Sequence, residues 1–378
     1  MQPIVRLVGA IQNYPWGSRR ALAELLGRSA PSDAPEAELW LGAHAKGEAR
    51  VETESGERVA LSAWIARDPV GVLGADVAAR FGERLPFLLK LLAVERALSL
   101  QAHPDEEQAR IGFESGVGHY VDGEAKPELV VAHTRFEALS GFRPLDAIRA
   151  SLASVGLGAL LAPDETDARG LFARWFAPAD EAARDAALAR ALDAACSDDP
   201  AEAAMRELAA HYPGDPGVIA PLLLHRVELA PGEALFLEAG ELHCYLGGVA
   251  AEIMAASDNV LRAGLTGKPL AVDELLRIGR FAPRVPTVLR AAESAPGVRT
   301  WCAPAPHFEL GAIEVGADGV AIAARGGVEV LLCHAGRVRV GGGPTLRQGE
   351  SCLVPAAVGP YRLEGAGRLY RAGVPANR

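Results

Sequence analysis

The stretch Gly232-Glu233-Ala234-Leu235-Phe236-Leu237-Glu238-Ala239-Gly240-Glu241-Leu242-His243 decides the fold of this 378-residue chain. It predicts a Gly-Glu turn, an apolar strand, a turn of small residues and the start of a second strand. Residues 349–360 line up with it without a gap, from Gly349 to Pro360. A strand-turn-strand unit that occurs twice predicts two related β-rich units in one chain.

This repeat resembles cupin barrels, in which a histidine after the second turn binds a metal ion. In the second copy the position of His243 is held by Pro360, which has no lone pair to give to a metal. The resemblance therefore implies a mainly β protein built from cupin-like jelly-roll barrels. One would be a metal-binding catalytic barrel, and the other a metal-free C-terminal barrel.

Three other residues with metal-binding side chains precede His243 in the chain. Gln101 and His103 are two residues apart, so on a strand both side chains would point to one face. Glu128 follows in a separate segment. Two imidazoles, a carboxylate and an amide oxygen suit zinc or a neighbouring divalent ion and leave room for water or substrate oxygens. Taken singly, each histidine could equally be an ordinary hydrogen-bonded residue, and Glu128 a surface carboxylate.

The segments that flank these residues form a specific pattern. They are Asn13-Tyr14-Pro15-Trp16-Gly17, Glu38-Leu39-Trp40-Leu41-Gly42-Ala43-His44, Leu85-Pro86-Phe87-Leu88-Leu89-Lys90 and Met254-Ala255-Ala256-Ser257-Asp258-Asn259-Val260-Leu261-Arg262-Ala263-Gly264-Leu265-Thr266. In this order and spacing, the chain closely resembles type I phosphomannose isomerases over most of residues 10–145 and 230–268. Several independent segments in the right order are far more specific than one motif.

The resemblance implies a zinc-dependent aldose-ketose isomerase. Such an enzyme interconverts mannose 6-phosphate and fructose 6-phosphate through an enediol or enediolate, in mannose and GDP-mannose metabolism. The resemblance also implies one Zn²⁺ per chain, held by Gln101, His103, Glu128 and His243. The reaction requires a base that moves a proton between C1 and C2, a group that stabilises the oxyanion, and a clamp for the phosphate.

Three residues are expected to be catalytic. Arg262 keeps its charge under ordinary conditions and would stabilise developing negative charge on oxygen; its structural alternative is a salt bridge to Asp258 or Glu252. Lys126 lies two residues before Glu128, so on an extended segment both would face one cavity. Glu252 is the first choice for a carboxylate near the substrate carbons.

The remaining candidates are expected to bind or enclose the substrate. They are Lys90, Ser99, Trp16, Glu38 and Asp258, with His44 as a possible auxiliary acid or base. Lys90 ends an apolar run, where a solvated lysine would be out of pattern. Asp258 could also orient other groups of the site. Which of Lys90, Lys126 and Ser99 binds the phosphate stays open at this point.

One departure from the family pattern bears on the phosphate. Glu106 and Glu107 stand where the family commonly has a lysine soon after the His-Pro-Asp step. The change removes one possible phosphate contact, so binding of the anionic end of the sugar would depend more on the lysines and the serine named above.

The length of the chain exceeds what one core usually serves. Segments between about 144 and 212 are rich in alanine, with glutamate, arginine and leucine at helical intervals, and residues 213–217 form a turn cluster. We predict a catalytic cupin domain in residues 1–145 and 217–267, with an inserted α-helical domain at 146–216. Residues 268–378 are predicted to form a C-terminal cupin-like β domain.

Composition limits the partners and the location. A net charge of −10 argues against nucleic acid and anionic membranes. No apolar run is long enough for a membrane span, and residues 1–6 lack the features of a secretory signal. Five widely spaced cysteines predict reduced thiols. We expect a cytoplasmic monomer or homodimer whose partner is a small-molecule sugar phosphate.

Two other classes of function remain open from the sequence. An iron-dependent cupin oxygenase would usually show a tighter His-x-His pair. A catalytically silent sugar-binding or regulatory protein on the same scaffold would not need the four ligands and Arg262 together. Incubation with mannose 6-phosphate separates these classes.

Overall fold

The structure is a computed structural model and describes residues 3–376. Within this range the chain is mainly β, with two eleven-stranded antiparallel sheets. The first strands are β1 Val5–Val8, β2 Ala10–Gln12, β3 Glu38–Leu41, β4 Arg50–Glu52, β5 Arg58–Ala60, β6 Phe87–Val94, β7 Leu100–Ala102, β8 Glu128–Ala132, β9 Phe136–Phe142, β10 Leu224–Leu229 and β11 Glu233–Leu237. The others are β12 His243–Ala255, β13 Leu261–Gly264, β14 Val288–Arg290, β15 Ala292–Ala295, β16 Val298–Trp301, β17 Glu309–Val315, β18 Val320–Ile322, β19 Glu329–Val340, β20 Thr345–Arg347, β21 Ser351–Val354 and β22 Tyr361–Gly373.

We call the two sheets sheet 1 and sheet 2. Sheet 1 has the order β14-β11-β8-β12-β6-β3-β2, with β7, β9, β10 and β13 joined beside this path. Sheet 2 has the order β15-β16-β17-β22-β19-β21-β1-β4-β5, with β18 on β22 and β20 on β19. The two sheets share a core, because Leu89 and Ile253 of sheet 1 belong to the same buried cluster as Val330 and Leu353 of sheet 2.

Strands from both ends of the chain meet in sheet 2. β1 pairs with β21, where Val5 lies opposite Leu353, and its other edge pairs with β4. Conversely, β14 lies in the C-terminal part of the chain but pairs with β11 and so belongs to sheet 1. The sheets therefore take strands from both sides of the predicted boundaries, and the division into domains stays a prediction.

The helices lie mainly between β9 and β10. They are α1 Ala21–Leu25, α2 Leu61–Ile65, α3 Pro69–Leu73, α4 Ala75–Phe81, α5 Glu106–Glu114, α6 Leu145–Ser154, α7 Arg169–Phe176, α8 Glu181–Ala194, α9 Pro200–His211, α10 Ala220–Leu223 and α11 Val272–Ile278, with 3₁₀ turns at Gly158–Leu160 and Pro216–Ile219. The sequence predicts a short helix at 105–115 after Pro104 and alanine-rich helices at 179–195 and 201–211, and all three are confirmed. α5 begins at a capping box, in which Asp105 and Gln108 each satisfy the other's backbone N–H.

The helical spacing of residues 61–82 predicts a helical segment that Ser62 could cap; the segment is helical, but it is not one continuous helix, and Ala60 rather than Ser62 holds the N-cap position. The segment forms α2, α3 and α4 instead. Pro69 starts a new helix because it lacks the N–H that would continue the previous one, and Asp68 caps it. Gly74, with φ +93°, then ends α3. Across residues 3–376, no helix combines the length and apolar character needed to cross a membrane.

Candidate metal centre

Short strand β7 brings the predicted ligands together. Gln101 on β7 lies opposite His243 of β12 on one side and opposite Arg262 of β13 on the other. Directly opposite residues of an antiparallel pair point to the same face of a sheet. His103 follows one residue after the end of β7, and Glu128 is the first residue of β8. Three separate segments therefore converge on one place.

Strand β12 supplies residues on both sides of a bulge. Its first part pairs with β7 and β9 and its second part with β6 and β8, with a register shift between Tyr245 and Gly247. Because one extra residue reverses the alternation of side chains, His243 and Glu252 share a face although nine positions separate them. Tyr245 confirms this, since its hydroxyl donates a 2.9 Å hydrogen bond to Glu252 Oε1. Only glycine fits at position 248 beside this bulge, because φ is +111° and a Cβ would lie 2.4 Å from the Arg135 carbonyl oxygen.

The side chains of His103, Glu128 and His243 form a compact, buried triad. Their possible ligand atoms all lie within 4.8 Å of one another. His103 Nε2 is 3.4 Å from Glu128 Oε1, and His243 Nε2 is 3.7 Å from Glu128 Oε2. All three residues are at most 2% exposed. The geometry is that of a cation site with three protein ligands.

The hydrogen bonds of the two imidazoles turn Nε2 of each ring toward this site. His103 Nδ1 lies 2.7 Å from the Asn259 carbonyl oxygen, and His243 Nδ1 lies 2.9 Å from that of Glu241. A carbonyl accepts only, so each Nδ1 carries the proton and each Nε2 keeps its lone pair. His103 Nε2 and Glu128 Oε2 are buried without a hydrogen-bond partner. Such orphaned acceptors fit a bound cation, because burying them unpaired is costly.

The fourth predicted ligand, Gln101, is turned differently. Its amide nitrogen faces His243 Nε2 at 3.4 Å, and its Oε1 accepts a 2.7 Å hydrogen bond from the Ser99 hydroxyl. A metal would bind the amide oxygen, so Gln101 fits as a ligand after a half-turn of its terminal amide. Ser99 would then accept from the amide nitrogen, since a hydroxyl both donates and accepts.

The protonation states suit metal binding. Burial, with Lys126 close by, lowers the pKa of His103. Burial and the neighbouring His103 lower the pKa of His243 to about 4. Burial alone would raise the pKa of Glu128, but the Lys126 ammonium and the imidazoles outweigh it and hold that pKa well below its usual value. At neutral pH the triad is thus two neutral imidazoles and a carboxylate, the forms that bind zinc.

A row of charged residues crosses sheet 1 beside the triad. Lys90 on β6 lies opposite Trp40 of β3 and Glu252 of β12. Its ammonium is 3.1 Å from Glu252 Oε2, 3.6 Å from Glu38 Oε2 and 5.4 Å from the Trp40 ring centre. Burial opposes the charge of Lys90, but the two carboxylates outweigh it and raise the pKa of the ammonium.

Glu252 experiences opposing influences. Burial raises its pKa, the Lys90 ammonium lowers it, and Glu128 raises it again, so that the pKa of Glu252 is raised overall. Because Lys90 also neutralises Glu38, its pairing does not fully offset the burial of Glu252. A carboxyl group with a raised pKa exchanges protons more readily near neutral pH.

Lys126 and Arg262 lie on either side of the triad. Lys126 Nζ donates a 2.6 Å hydrogen bond to Glu128 Oε1, so the two side chains lie together. Arg262 NH1 donates to the Val260 carbonyl at 3.4 Å. Burial lowers the pKa of Arg262 and Asp258 raises it. In residues 3–376, no ion pair joins Arg262 to Asp258 or Glu252, so the salt-bridge alternative is wrong.

Asp258 is instead held by His44 and Lys46. Its carboxylate lies 3.1 Å from His44 Nε2 and 2.8 Å from Lys46 Nζ. Burial alone would raise the pKa of Asp258, but these two hydrogen bonds keep it well below the usual value. His44 also packs edge-on against Trp40, with 4.8 Å between ring centres. His44 thus orients Asp258.

Trp16, predicted to line the substrate site, instead packs on Tyr14 and a buried apolar cluster. Its ring stacks on Tyr14 at 5.9 Å and packs against the buried cluster that contains Val130 and Tyr245. The sequence analysis missed Lys268, whose ammonium lies 5.2 Å above the Tyr14 ring. Burial and the nearby Arg262 lower the pKa of Lys268. Its position two residues after the matched segment was the available signal.

Comparison with known proteins agrees with this geometry. A model of the type I phosphomannose isomerase catalytic domain matches residues 4–145. The mannose-6-phosphate isomerases of Salmonella typhimurium and Escherichia coli are each 37% identical to this chain, over 97% of its length and 98% of theirs. The chain belongs to the type I phosphomannose isomerase family.

Solved structures of the family have the same fold. A phosphomannose isomerase variant from Salmonella typhimurium superposes with a TM-score of 0.90 at 34% identity, covering 99% of this chain and 100% of that one. A zinc-bound mannose 6-phosphate isomerase gives a TM-score of 0.88 at 34% identity with the same coverage. The family recognised in the sequence is thereby confirmed.

Proposed function

We propose that this chain is a zinc-dependent isomerase that interconverts mannose 6-phosphate and fructose 6-phosphate. The observation that carries the proposal is the buried triad of His103, Glu128 and His243, in which His103 Nε2 and Glu128 Oε2 have no hydrogen-bond partner. Membership of the family adds the substrate, because the relatives carry the name mannose-6-phosphate isomerase. We place the activity in mannose and GDP-mannose metabolism.

We assign one Zn²⁺ per chain to this site, with Gln101 as a fourth ligand after its amide turns. Two imidazoles and a carboxylate are ligands that zinc prefers, and three protein ligands plus a weaker fourth leave room for the substrate. When bound, zinc supplies a Lewis acid that polarises the sugar oxygens. Its positive charge also offsets the excess of carboxylates, because Glu38, Glu128 and Glu252 outnumber Lys90 and Lys126.

For the chemistry we propose the enediol route. Glu252, with its raised pKa, takes the proton from one of the two carbons and returns it to the other. Lys90 holds Glu252 in place at 3.1 Å. Arg262 keeps its positive charge and stabilises the oxyanion of the enediolate. Lys126, which already donates to Glu128, has further N–H groups for a substrate hydroxyl.

The phosphate clamp is proposed to centre on Lys268. Lys90 is already neutralised by two carboxylates, whereas in the described residues no carboxylate forms an ion pair with Lys268. Lys268 is exposed and lies near Arg262, so a phosphate would balance part of the positive charge there. Ser99 could add a hydroxyl from the β7 side. A Lys268→Ala variant should raise KM for the sugar phosphate far more than it lowers kcat.

The direct test is incubation of the zinc-loaded protein with mannose 6-phosphate, with fructose 6-phosphate measured as product. Formation of fructose 6-phosphate at a catalytic rate is expected. Binding of the sugar phosphate without turnover would indicate the silent sugar-binding class. Consumption of dioxygen would indicate an oxygenase.

The route is tested in heavy water. Proton transfer through Glu252 should place solvent deuterium on C1 of fructose 6-phosphate or C2 of mannose 6-phosphate, diluted by internal return of the proton. Complete absence of label over many turnovers would favour a hydride shift and remove Glu252 as the proton carrier.

We also propose that each sheet belongs to a cupin-like jelly-roll barrel, with the helices between β9 and β10 as an inserted domain. The support is the antiparallel strand order of both sheets and the repeated Gly-Glu turns before β11 and β21. Substrate chemistry stays with the barrel of sheet 1, and the barrel of sheet 2 is proposed to be metal-free.

A further inference from the structure

Two irregular segments meet beside the metal centre. Residues 121–127 lead to Lys126 and Glu128, and residues 256–260 contain Asp258 and lead to Arg262. Neither segment forms a helix or a strand. Regular helix or sheet hydrogen bonds therefore do not fix their positions. Single backbone bonds, such as that from the Ala256 N–H to the Pro86 carbonyl oxygen at 3.0 Å, and side chains do so.

Asn259 joins the two segments. It is 0% exposed, and its amide oxygen accepts a 2.8 Å hydrogen bond from the Val121 N–H. Its amide nitrogen donates to the carbonyl oxygens of Asp122 at 2.8 Å and Glu124 at 2.9 Å, and to Asp122 Oδ1 at 3.0 Å. An amide side chain offers both a donor and an acceptor, and here both are fully used.

Asp122 closes the same connection from the other side. Its Oδ1 accepts hydrogen bonds from the Ser257 hydroxyl at 2.9 Å and the Glu124 N–H at 3.0 Å. Its Oδ2 accepts from the Asp258 N–H at 2.9 Å. We call this network of Asp122, Ser257 and Asn259 the 122–259 clasp.

The clasp reaches the metal centre through a backbone atom. The Asn259 carbonyl accepts the 2.7 Å hydrogen bond from His103 Nδ1 that fixes the protonated nitrogen of this ring. We propose that Asn259, held by Asp122, is a positioning residue that sets the tautomer and orientation of His103 and the approach of Glu128, and thereby the zinc affinity. This inference rests on the proposed zinc site.

The test compares zinc affinity in four proteins. Asn259→Ala removes every hydrogen bond of the Asn259 side chain, and Asp122→Asn keeps the shape but turns one accepting oxygen into a donor. Both variants should bind zinc about 10- to 100-fold more weakly, the usual effect of changing a group that orients a metal ligand, with the larger loss for Asn259→Ala. Val338→Ala, buried in sheet 2, serves as the control for lost stability.

A second readout uses the chelated proteins. Long-range ¹H–¹⁵N spectra should show His103 protonated at Nδ1 in the unchanged chain and in Val338→Ala, and a mixture of tautomers in Asn259→Ala. If the unchanged chain binds no zinc, the proposed function fails. If it binds zinc and both clasp variants bind it within twofold, with His103 unchanged, the clasp only packs two loops and the inference is overturned.

Discussion

Sheet 1 and sheet 2 bury charged side chains in opposite ways. In sheet 2, Glu329 and Arg371 are at most 5% exposed, and Arg371 Nε lies 3.6 Å from Glu329 Oε1. Tyr361 donates a 2.9 Å hydrogen bond to Glu329 Oε2, and Arg325 pairs with Glu309 at 2.5 Å. Two guanidinium groups thus face two carboxylates, and the cluster is electrically balanced by the protein alone.

The cluster in sheet 1 is not balanced in this way. Glu38, Glu128 and Glu252 face Lys90 and Lys126, all at most 8% exposed, so the carboxylates outnumber the ammonium groups. A buried excess of negative charge is costly unless a cation completes it. Similar β architecture can therefore bury charge either as a balanced ion-pair cluster or as a cluster with an excess of carboxylates that a cation would balance.

The largest expected effect is a loss of zinc binding and activity on replacing a histidine of sheet 1, compared with no loss for a histidine of sheet 2. His243→Ala should abolish both zinc binding and isomerisation, because it removes a ligand from the triad. His334→Ala, in β19 of sheet 2, should leave the zinc content and kcat unchanged. Zinc analysis and a kinetic assay on both variants measure this. Equal loss of activity in the two variants would break the contrast between the sheets.

The next largest effects concern two arginines, the partly buried Arg262 of sheet 1 and the buried Arg371 of sheet 2. Arg262→Ala should lower kcat roughly 100-fold or more while zinc stays bound, as expected when one preorganised donor to a developing oxyanion is lost. Arg262→Lys keeps the charge without the planar fork, and should recover only part of the loss. Kinetics and zinc content measured on the same preparations check this.

Arg371→Met is the matched change in sheet 2. It leaves Glu329 buried without its closest cation, and should cost about 3–5 kcal/mol of unfolding free energy. The kcat of the folded protein should not change. A normal kcat in Arg262→Ala, or a lowered kcat in Arg371→Met, would reverse the assignment of the two arginines.

The smallest effect concerns acid stability in sheet 2. Burial, His133 and Arg368 lower the pKa of His334 to about 3. The unfolded chain, with a pKa near 6.5 for this group, binds the proton first as the pH falls. The stabilising contribution of His334 to the free energy of unfolding is therefore fully present above about pH 6.5. It declines progressively as the pH falls toward 3. After allowance for its partial exposure, the loss at pH 5 should be about 1 kcal/mol.

Urea unfolding at pH 7 and pH 5 measures this change. His334→Gln, which does not titrate, should show a pH dependence smaller by about that amount. Identical pH dependence in both proteins would mean that His334 is not held neutral by its surroundings.

Local signals made part of the structure predictable. The capping box at Asp105 and the helical spacing of residues 181–194 and 200–211 depend only on residues close together in the chain. The helices predicted there were confirmed. The ligands could be named because Gln101 and His103 belong to a family motif. The facing of Lys126 and Glu128 followed from strand alternation.

Other features depend on contacts that a sequence pattern does not encode. β1 pairs with β21 across most of the chain, and no local periodicity predicts that partner. Lys268 reaches Tyr14 from a loop beyond the matched segment. The separation of Arg262 from Asp258 arises because His44 and Lys46 take the carboxylate, which requires three segments to meet.

The central claim is that the triad in sheet 1 is completed by one zinc ion. The most direct measurement is a titration of the chelated protein with Zn²⁺, followed by the rate of conversion of mannose 6-phosphate to fructose 6-phosphate. The proposed zinc site predicts no activity without metal, and a rate that rises linearly with added Zn²⁺ to a plateau at about one ion per chain. Full activity in the demonstrably metal-free protein would contradict it.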